Sequence, residues 1–140
     1  MTQSDNSEFM GAKLALFVGG RLLVLRRDVR ADIPWPGYLD LPGGGKEPGE
    51  SPEACVLRET EEEVGLRLTP RDLVWRRFYA DDPNPAWFFA AHLPASREAA
   101  IALGTEGQGW MLLSPEDYVN HAEAVPHFRL RVRDYLSAKT

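Results

Sequence analysis

Three consecutive glycines, Gly43 to Gly45, run into a stretch that carries seven glutamates and one arginine within residues 47–63. That stretch has the marks of a helix. Ser51 is placed to cap it, Pro52 sits at the first helical position, and Gly65 is a natural residue to end it after Val64. Val56, Thr60 and Val64 recur every four residues, which predicts one buried side. Like charges crowded on the remaining surface repel. The segment's net charge of −6 exceeds the −5 of the whole 140-residue chain, leaving the remainder at +1. The acidity is therefore a site, not a background. On a helix of about 3.6 residues per turn, positions i, i+3 and i+4 share a face, and that is the spacing of Glu59, Glu62 and Glu63. Three carboxylates converging there need a cation among them, and hard oxygen ligands favour Mg²⁺ or Mn²⁺. Glu47 and Glu50, in the loop ahead, are placed to add ligands or to orient waters in a second layer. The glycines let the backbone approach closely, which makes the Gly43 carbonyl a further candidate ligand. A solvated acidic helix face is the competing reading. The glycines, the second acidic pair and the single arginine at fixed offsets argue against it.

Around this segment the chain reads as one small α/β unit. AKLALFVGG and RLLVLRR, meeting at Gly19-Gly20, predict a β-hairpin. DVRADIPWPGY, with Pro34 and Pro36, predicts an extended loop, and YLDLPGG a short strand running into the glycines. LVWRRFYA and AWFFAAHL predict antiparallel strands, PASREAAIAL a short helical turn, and GWMLLS another strand. SPEDYVNH opens on a second capping residue, Ser114, followed by acids. In PHFRLRVRDYLSA, Phe128, Val132 and Leu136 lie four apart and predict an amphipathic helix. Strands before and between an early and a late helix predict a mixed β-sheet covered on both faces. The polar start, MTQSDNSEFM, predicts a flexible tail over residues 1–10, with a single domain over 11–140. At 44% hydrophobic and 26% charged residues the composition is that of a globular domain. The negative balance disfavours duplex nucleic acid and anionic membrane as partners, and no apolar run approaches the roughly 18 to 20 residues of a membrane span. Cys55 is the one cysteine. It permits neither an internal disulfide nor a thiolate cluster, so the predicted compartment is the cytoplasm. With no histidine dyad beside it in the sequence, Cys55 reads as helix packing and not as a nucleophile.

Gly44, five residues, Glu50, seven residues, and then Arg58-Glu59-Thr60-Glu61-Glu62-Glu63-Val64-Gly65-Leu66 resemble the Nudix box, G-x5-E-x7-R-E-U-x-E-E-x-G-U. Every fixed letter is present. The one departure is Thr60, where the pattern prefers a bulky aliphatic residue, and it removes no ligand. The likeness extends to Trp87-Phe88-Phe89 and to Glu106-Gly107-Gln108 with Trp110-Met111, which are similar to later segments of the MutT-like members. The resemblance implies an α/β fold, a Nudix-type α/β/α sandwich with the mixed sheet between helices. It also implies a hydrolase that needs a divalent metal, Mg²⁺ or Mn²⁺, and cleaves the diphosphate linkage of a nucleoside diphosphate joined to another moiety. By the same resemblance Glu59, Glu62 and Glu63 hold metal, Glu106 adds a ligand, and Arg58 orients the carboxylates. Glu62 and Glu106 are both candidates to take the proton from the attacking water. Arg27 is implied as a phosphate contact, and strand alternation turns only one of Arg26 and Arg27 inward. Tyr38, Trp87 and Phe89 are candidates to stack on a nucleobase, against the commoner place of strand aromatics in a core. Members acting on 8-oxo-dGTP carry an asparagine near the last helix. Aligning on Pro126 places Ala124 there, which argues against that substrate. The expected partner is a small nucleotide or nucleotide derivative. The alternative is a non-catalytic nucleotide-sensing module on the same fold, which would be expected to have lost a box glutamate, and none is lost. IPWPGY, residues 33–38, suits either a contact in a homodimer or a loop over the substrate.

Overall fold

A computed structural model of the chain describes residues 9–80 and 84–139. In chain order its elements are β1 (Gly11–Val18), β2 (Arg21–Arg26), β3 (Leu39–Asp40), β4 (Gly43–Gly45), α1 (Pro52–Val64), β5 (Leu73–Tyr79), β6 (Ala86–Leu93), β7 (Gly109–Leu113), α2 (Pro115–Val119) and α3 (Pro126–Ala138). Tight helical turns at Pro70–Asp72 and Ala95–Ala100 link them. None of these helices is long and apolar enough to cross a membrane.

The hairpin forms at Gly19-Gly20, but its two strands pair only beside the turn, at Phe17 with Leu22 and Val18 with Arg21. Further along they part. β1 runs parallel to β6 over its whole length, from Gly11 opposite Ala86 to Val18 opposite Leu93. β2 instead takes β7 as an antiparallel partner, and β5 lies antiparallel on the far side of β6. The YLDLPGG segment makes two short strands where the sequence predicts one. β3 pairs with β2 and β4 with the start of β1. Pro42, which lacks an N–H for a ladder, falls between them.

Alternation along the strands divides the core into two layers. Leu14, Leu16 and Val18 of β1 face one side, where Val56 and Val64 of α1 pack with Leu23 and Phe89. Ala15 and Phe17 face the other, with Tyr118 of α2 and Phe128 and Val132 of α3. The sheet thus lies between helices, an α/β/α sandwich. The α1 caps match the sequence expectation. The Ser51 hydroxyl accepts from the Ala54 N–H at 3.1 Å, and the Gly65 N–H donates to the Glu61 carbonyl at 2.9 Å. Each fully buried valine of the helix contributes roughly 1.5–3 kcal/mol, which outweighs the acidic repulsion along it.

The tail expected over residues 1–10 falls outside the described residues as far as position 8, and its far end is corrected. Phe9 is 1% exposed and belongs to the α1-side core. The Met10 N–H donates to the Pro85 carbonyl at 2.7 Å.

Candidate active site

β4 and α1 approach more closely than side chains on β4 would permit. At Gly43, φ is +126°, and a β-carbon there would fall 2.2 Å from the Ala12 carbonyl oxygen. At Gly44 a β-carbon would stand 2.5 Å from Glu59 Oε1. The Glu59 carboxylate therefore rests against bare backbone. One turn further along the helix, Glu63 Oε1 accepts the Gly43 N–H at 2.8 Å.

Arg58 organises the rest of the acidic surface. Its guanidinium grips Glu50 with two bonds, Nε to Oε2 at 2.6 Å and Nη2 to Oε1 at 3.0 Å. Nη1 donates to Glu59 Oε2 at 3.0 Å and Glu62 Oε1 at 3.2 Å, and Nη2 donates to the Gly45 carbonyl at 3.0 Å. Glu47 lies further out, 3.7 Å from Arg58, with its own N–H on Glu50 Oε1 at 2.8 Å. Hydrogen bonding to Arg58 holds the Glu50 carboxyl below its ordinary range. Glu63 behaves oppositely. Burial pushes its carboxyl up to about 7, against the opposing pull of the Lys13 charge and the Gly43 N–H.

The expected convergence of three carboxylates on one point needs correction. Among the described residues, no three acidic, cysteine or histidine side chains stand in a ready-made metal-binding arrangement. Glu59 and Glu62 reach Arg58, and Glu63 turns to the Gly43 amide, so guanidinium and N–H relieve the repulsion. The donor chemistry still fits a hard divalent cation. It consists of carboxylate oxygens on one side of one helix, Glu63 among them, with its carboxyl raised by burial.

Two cavities open beside this surface. The smaller, about 280 Å³, brings Arg26, Arg27 and Arg30 together with Asp40, Glu63 and Glu106. The larger, about 440 Å³, is walled by Met10 and Lys13 of the β1 side, Gly44, and His127, Phe128 and Arg131 of α3. Between them runs a chain of charges. Arg27 Nη1 donates to Asp40 Oδ2 at 2.7 Å, and Asp40 Oδ1 lies 3.1 Å from the Lys13 ammonium. Lys13 also donates to the carbonyls of Leu41 at 3.0 Å and Gly43 at 2.9 Å. The Gly43 carbonyl, a candidate ligand from the sequence, thus accepts from an ammonium.

The structure brings Arg27, Glu63 and Glu106 to one cavity and leaves the three candidate stacking residues outside both. Tyr38 packs on Trp35 at 5.1 Å between ring centroids, and Trp87 on Phe78 at 5.3 Å. Phe89 has no exposed surface and belongs to the α1-side core, which corrects its reading as a base contact. Arg26 and Arg27 both line the smaller cavity, because β2 ends at Arg26 and alternation ends with it. Sequence reasoning missed Lys13, Asp40 and Arg131. The available signals were a lone lysine inside the apolar run AKLALFV and an aspartate between buried leucines. Arg131 is 5% exposed, with its guanidinium 4.3 Å over the Tyr79 ring, and an amphipathic pattern gives no hint of that.

Residues 11–134 match the family model of the NUDIX domain. An uncharacterized Nudix hydrolase of Pseudomonas aeruginosa is 32% identical over 123 residues, which are 84% of this chain and 69% of that protein. Among solved structures, a MutT protein from Methanosarcina mazei Go1 matches with a TM-score of 0.76 at 21% identity, covering 94% of this chain and 96% of the other. A C. elegans Ap4A hydrolase in a binary complex matches with a TM-score of 0.71 at 20% identity, covering 91% and 96%. These two likenesses show the fold.

Proposed function

Since this chain belongs to the Nudix family and is a pyrophosphohydrolase, we propose that it cleaves the diphosphate bridge of a nucleoside diphosphate joined to a second group. Mg²⁺ or Mn²⁺ would be held by Glu59, Glu62 and Glu63 and completed by Glu106. The observation that carries the reading is the shared cavity in which three arginines face Glu63 and Glu106. A diphosphate repels an attacking water's developing hydroxide, so its charge must be neutralised where the attack occurs. Guanidiniums do this with paired bonds to phosphate oxygens. Arg27 is the best placed, because Asp40 and the Pro34 carbonyl, at 2.7 and 3.0 Å, fix its guanidinium. A divalent ion, when bound, supplies the remaining neutralisation and acidifies the water. Arg58 keeps Glu50, Glu59 and Glu62 in fixed relation, so its role is to orient. Glu62, with 58% of its side chain exposed, and Glu106, on the cavity wall, can each accept the water's proton.

The 440 Å³ cavity is large enough for a nucleoside, and its Met10 and Phe128 surfaces suit a planar base. That a fold neighbour is named an Ap4A hydrolase supports a nucleotide derivative as substrate. Ile33 of the IPWPGY segment lines the smaller cavity, which favours a loop over substrate above a contact between two copies. The reading takes the region from residue 9 as one hydrolase domain working on a small molecule in the cytoplasm.

A hydrolysis screen over nucleoside-diphosphate compounds, with product identification, tests the proposal. We expect products split within the diphosphate bridge in Mg²⁺ or Mn²⁺. No turnover of any member of a panel spanning nucleotide sugars, ADP-ribose, dinucleoside polyphosphates and oxidised nucleotides would overturn it.

A further inference from the structure

We propose that Lys13 is a built-in cation that competes with divalent metal for the Gly43 carbonyl, limiting how tightly and how fully the carboxylate helix is loaded; this rests on reading Glu59, Glu62 and Glu63 as metal ligands. The ammonium has three protons, and the structure gives each a partner: Asp40 Oδ2 at 3.3 Å, the Leu41 carbonyl at 3.0 Å and the Gly43 carbonyl at 2.9 Å. Its side chain is 16% exposed, and its charge stands 5.5 Å from the Phe128 ring centroid. Lys13 is therefore seated rather than sweeping the cavity. Asp40 does not cancel this charge alone, because the same carboxylate also serves Arg27 at 2.7 Å. Two cations share one buried anion, leaving the group at net positive beside Glu63.

Gly43 is the point where the two systems meet. Its N–H holds the Glu63 carboxylate at 2.8 Å while its carbonyl holds Lys13. A divalent ion that took that carbonyl as a ligand would share its oxygen with an ammonium a few Å away. Repulsion at that range corresponds to at least roughly tenfold in affinity, even with the strong screening of a protein surface. The expected consequence is that the Gly43 carbonyl position is weakly filled or unfilled by metal, and that removing the charge of Lys13 opens it. Lys13 is a positioning residue in this account, acting on the metal through a shared backbone oxygen.

The test is Mn²⁺ binding to the full chain without substrate, read from the electron paramagnetic resonance signal of free Mn²⁺. Wild type is compared with Lys13→Gln, which keeps a donor and loses the charge, and with Lys13→Arg, which keeps the charge. Glu63→Gln serves as the control, and thermal unfolding confirms that each variant is folded. We expect Lys13→Gln to bind Mn²⁺ at least roughly tenfold more tightly, or to take up an additional ion, with Lys13→Arg close to wild type. Glu63-dependent binding that is unchanged or weaker in Lys13→Gln would overturn the proposal and leave the metal reading standing. No Mn²⁺ uptake by wild type and Lys13→Gln alike would overturn both. A second readout needs no mutation at position 13. The ¹⁵N resonance of the Lys13 ammonium should shift on saturation with Mg²⁺ in wild type and stay fixed in Glu63→Gln. A Lys13 signal indifferent to Mg²⁺ in a wild type that binds the ion contradicts the competition.

Discussion

Thr60 lies fully buried on α1, and its hydroxyl has no hydrogen-bond partner among the described residues. An unpaired hydroxyl in a core costs about 1–3 kcal/mol, and valine has nearly the same shape. Thr60→Val is therefore expected to gain about 1 kcal/mol, a rise of a few degrees in Tm, with turnover unchanged. A lower Tm in a thermal scan would show that the hydroxyl is paired. Cys55, on the same buried side, has its thiol pushed up to about 11 by burial. We expect it to resist a thiol reagent at pH 8 in the native protein and to react on unfolding. Rapid labelling of the folded chain would contradict its packing role. Glu50 gives a pH dependence of definite sign. Arg58 lowers its carboxyl below the unfolded value of about 4.3. The pair's stabilisation is thus complete above that pH and disappears as the pH falls through the lower, folded value. Between neutrality and pH 3, wild type should lose Tm more steeply than Glu50→Gln. Parallel curves would show that the pair adds nothing.

On the level of elements, the β4–α1 approach separates two glycines that look alike in the sequence. A β-carbon at Gly43 meets the Ala12 backbone, which cannot yield, whereas one at Gly44 meets the mobile end of Glu59. Gly43→Ala should therefore unfold or strongly destabilise the protein. Gly44→Ala should keep its Tm within a few degrees yet lose turnover, because the displaced carboxylate belongs to the proposed metal face. Equal loss of Tm in the two variants would remove the distinction. The helix itself was legible from sequence because its determinants are local: Ser51, Pro52, the four-residue stripe and Gly65 all act within one segment. The division of residues 38–44 into β3 and β4 was not. It depends on β2 and β1 as separate partners. The parallel pairing of β1 with β6 was equally hidden, since the partners are more than seventy residues apart. Phe89 shows the same limit, because alternation says that it faces one side of a sheet and cannot say which side holds the core.

Across the whole molecule, the site is where the two layers of the sandwich communicate. α1 brings its acids from one face of the sheet, α3 brings Phe128 and Arg131 from the other, and the β3–β4 segment passes between them with Asp40 and Gly43. The box residues could be named in advance because their offsets are fixed along the chain. Lys13 and Asp40 could not, because only the folded sheet places them 3.1 Å apart. The central claim is that carboxylates of α1, loaded with a divalent ion, act with the arginine cavity to break a diphosphate bridge. Its most direct measurement is the turnover of a responsive nucleoside-diphosphate compound across a Mg²⁺ titration, before and after EDTA, in wild type and in folded Glu62→Gln and Glu63→Gln variants. The account predicts activity that rises with Mg²⁺, vanishes in EDTA, returns on adding the ion back, and falls at least about 10²-fold in kcat in the variants. Undiminished hydrolysis in excess EDTA, or near-normal kcat in both variants, would contradict it.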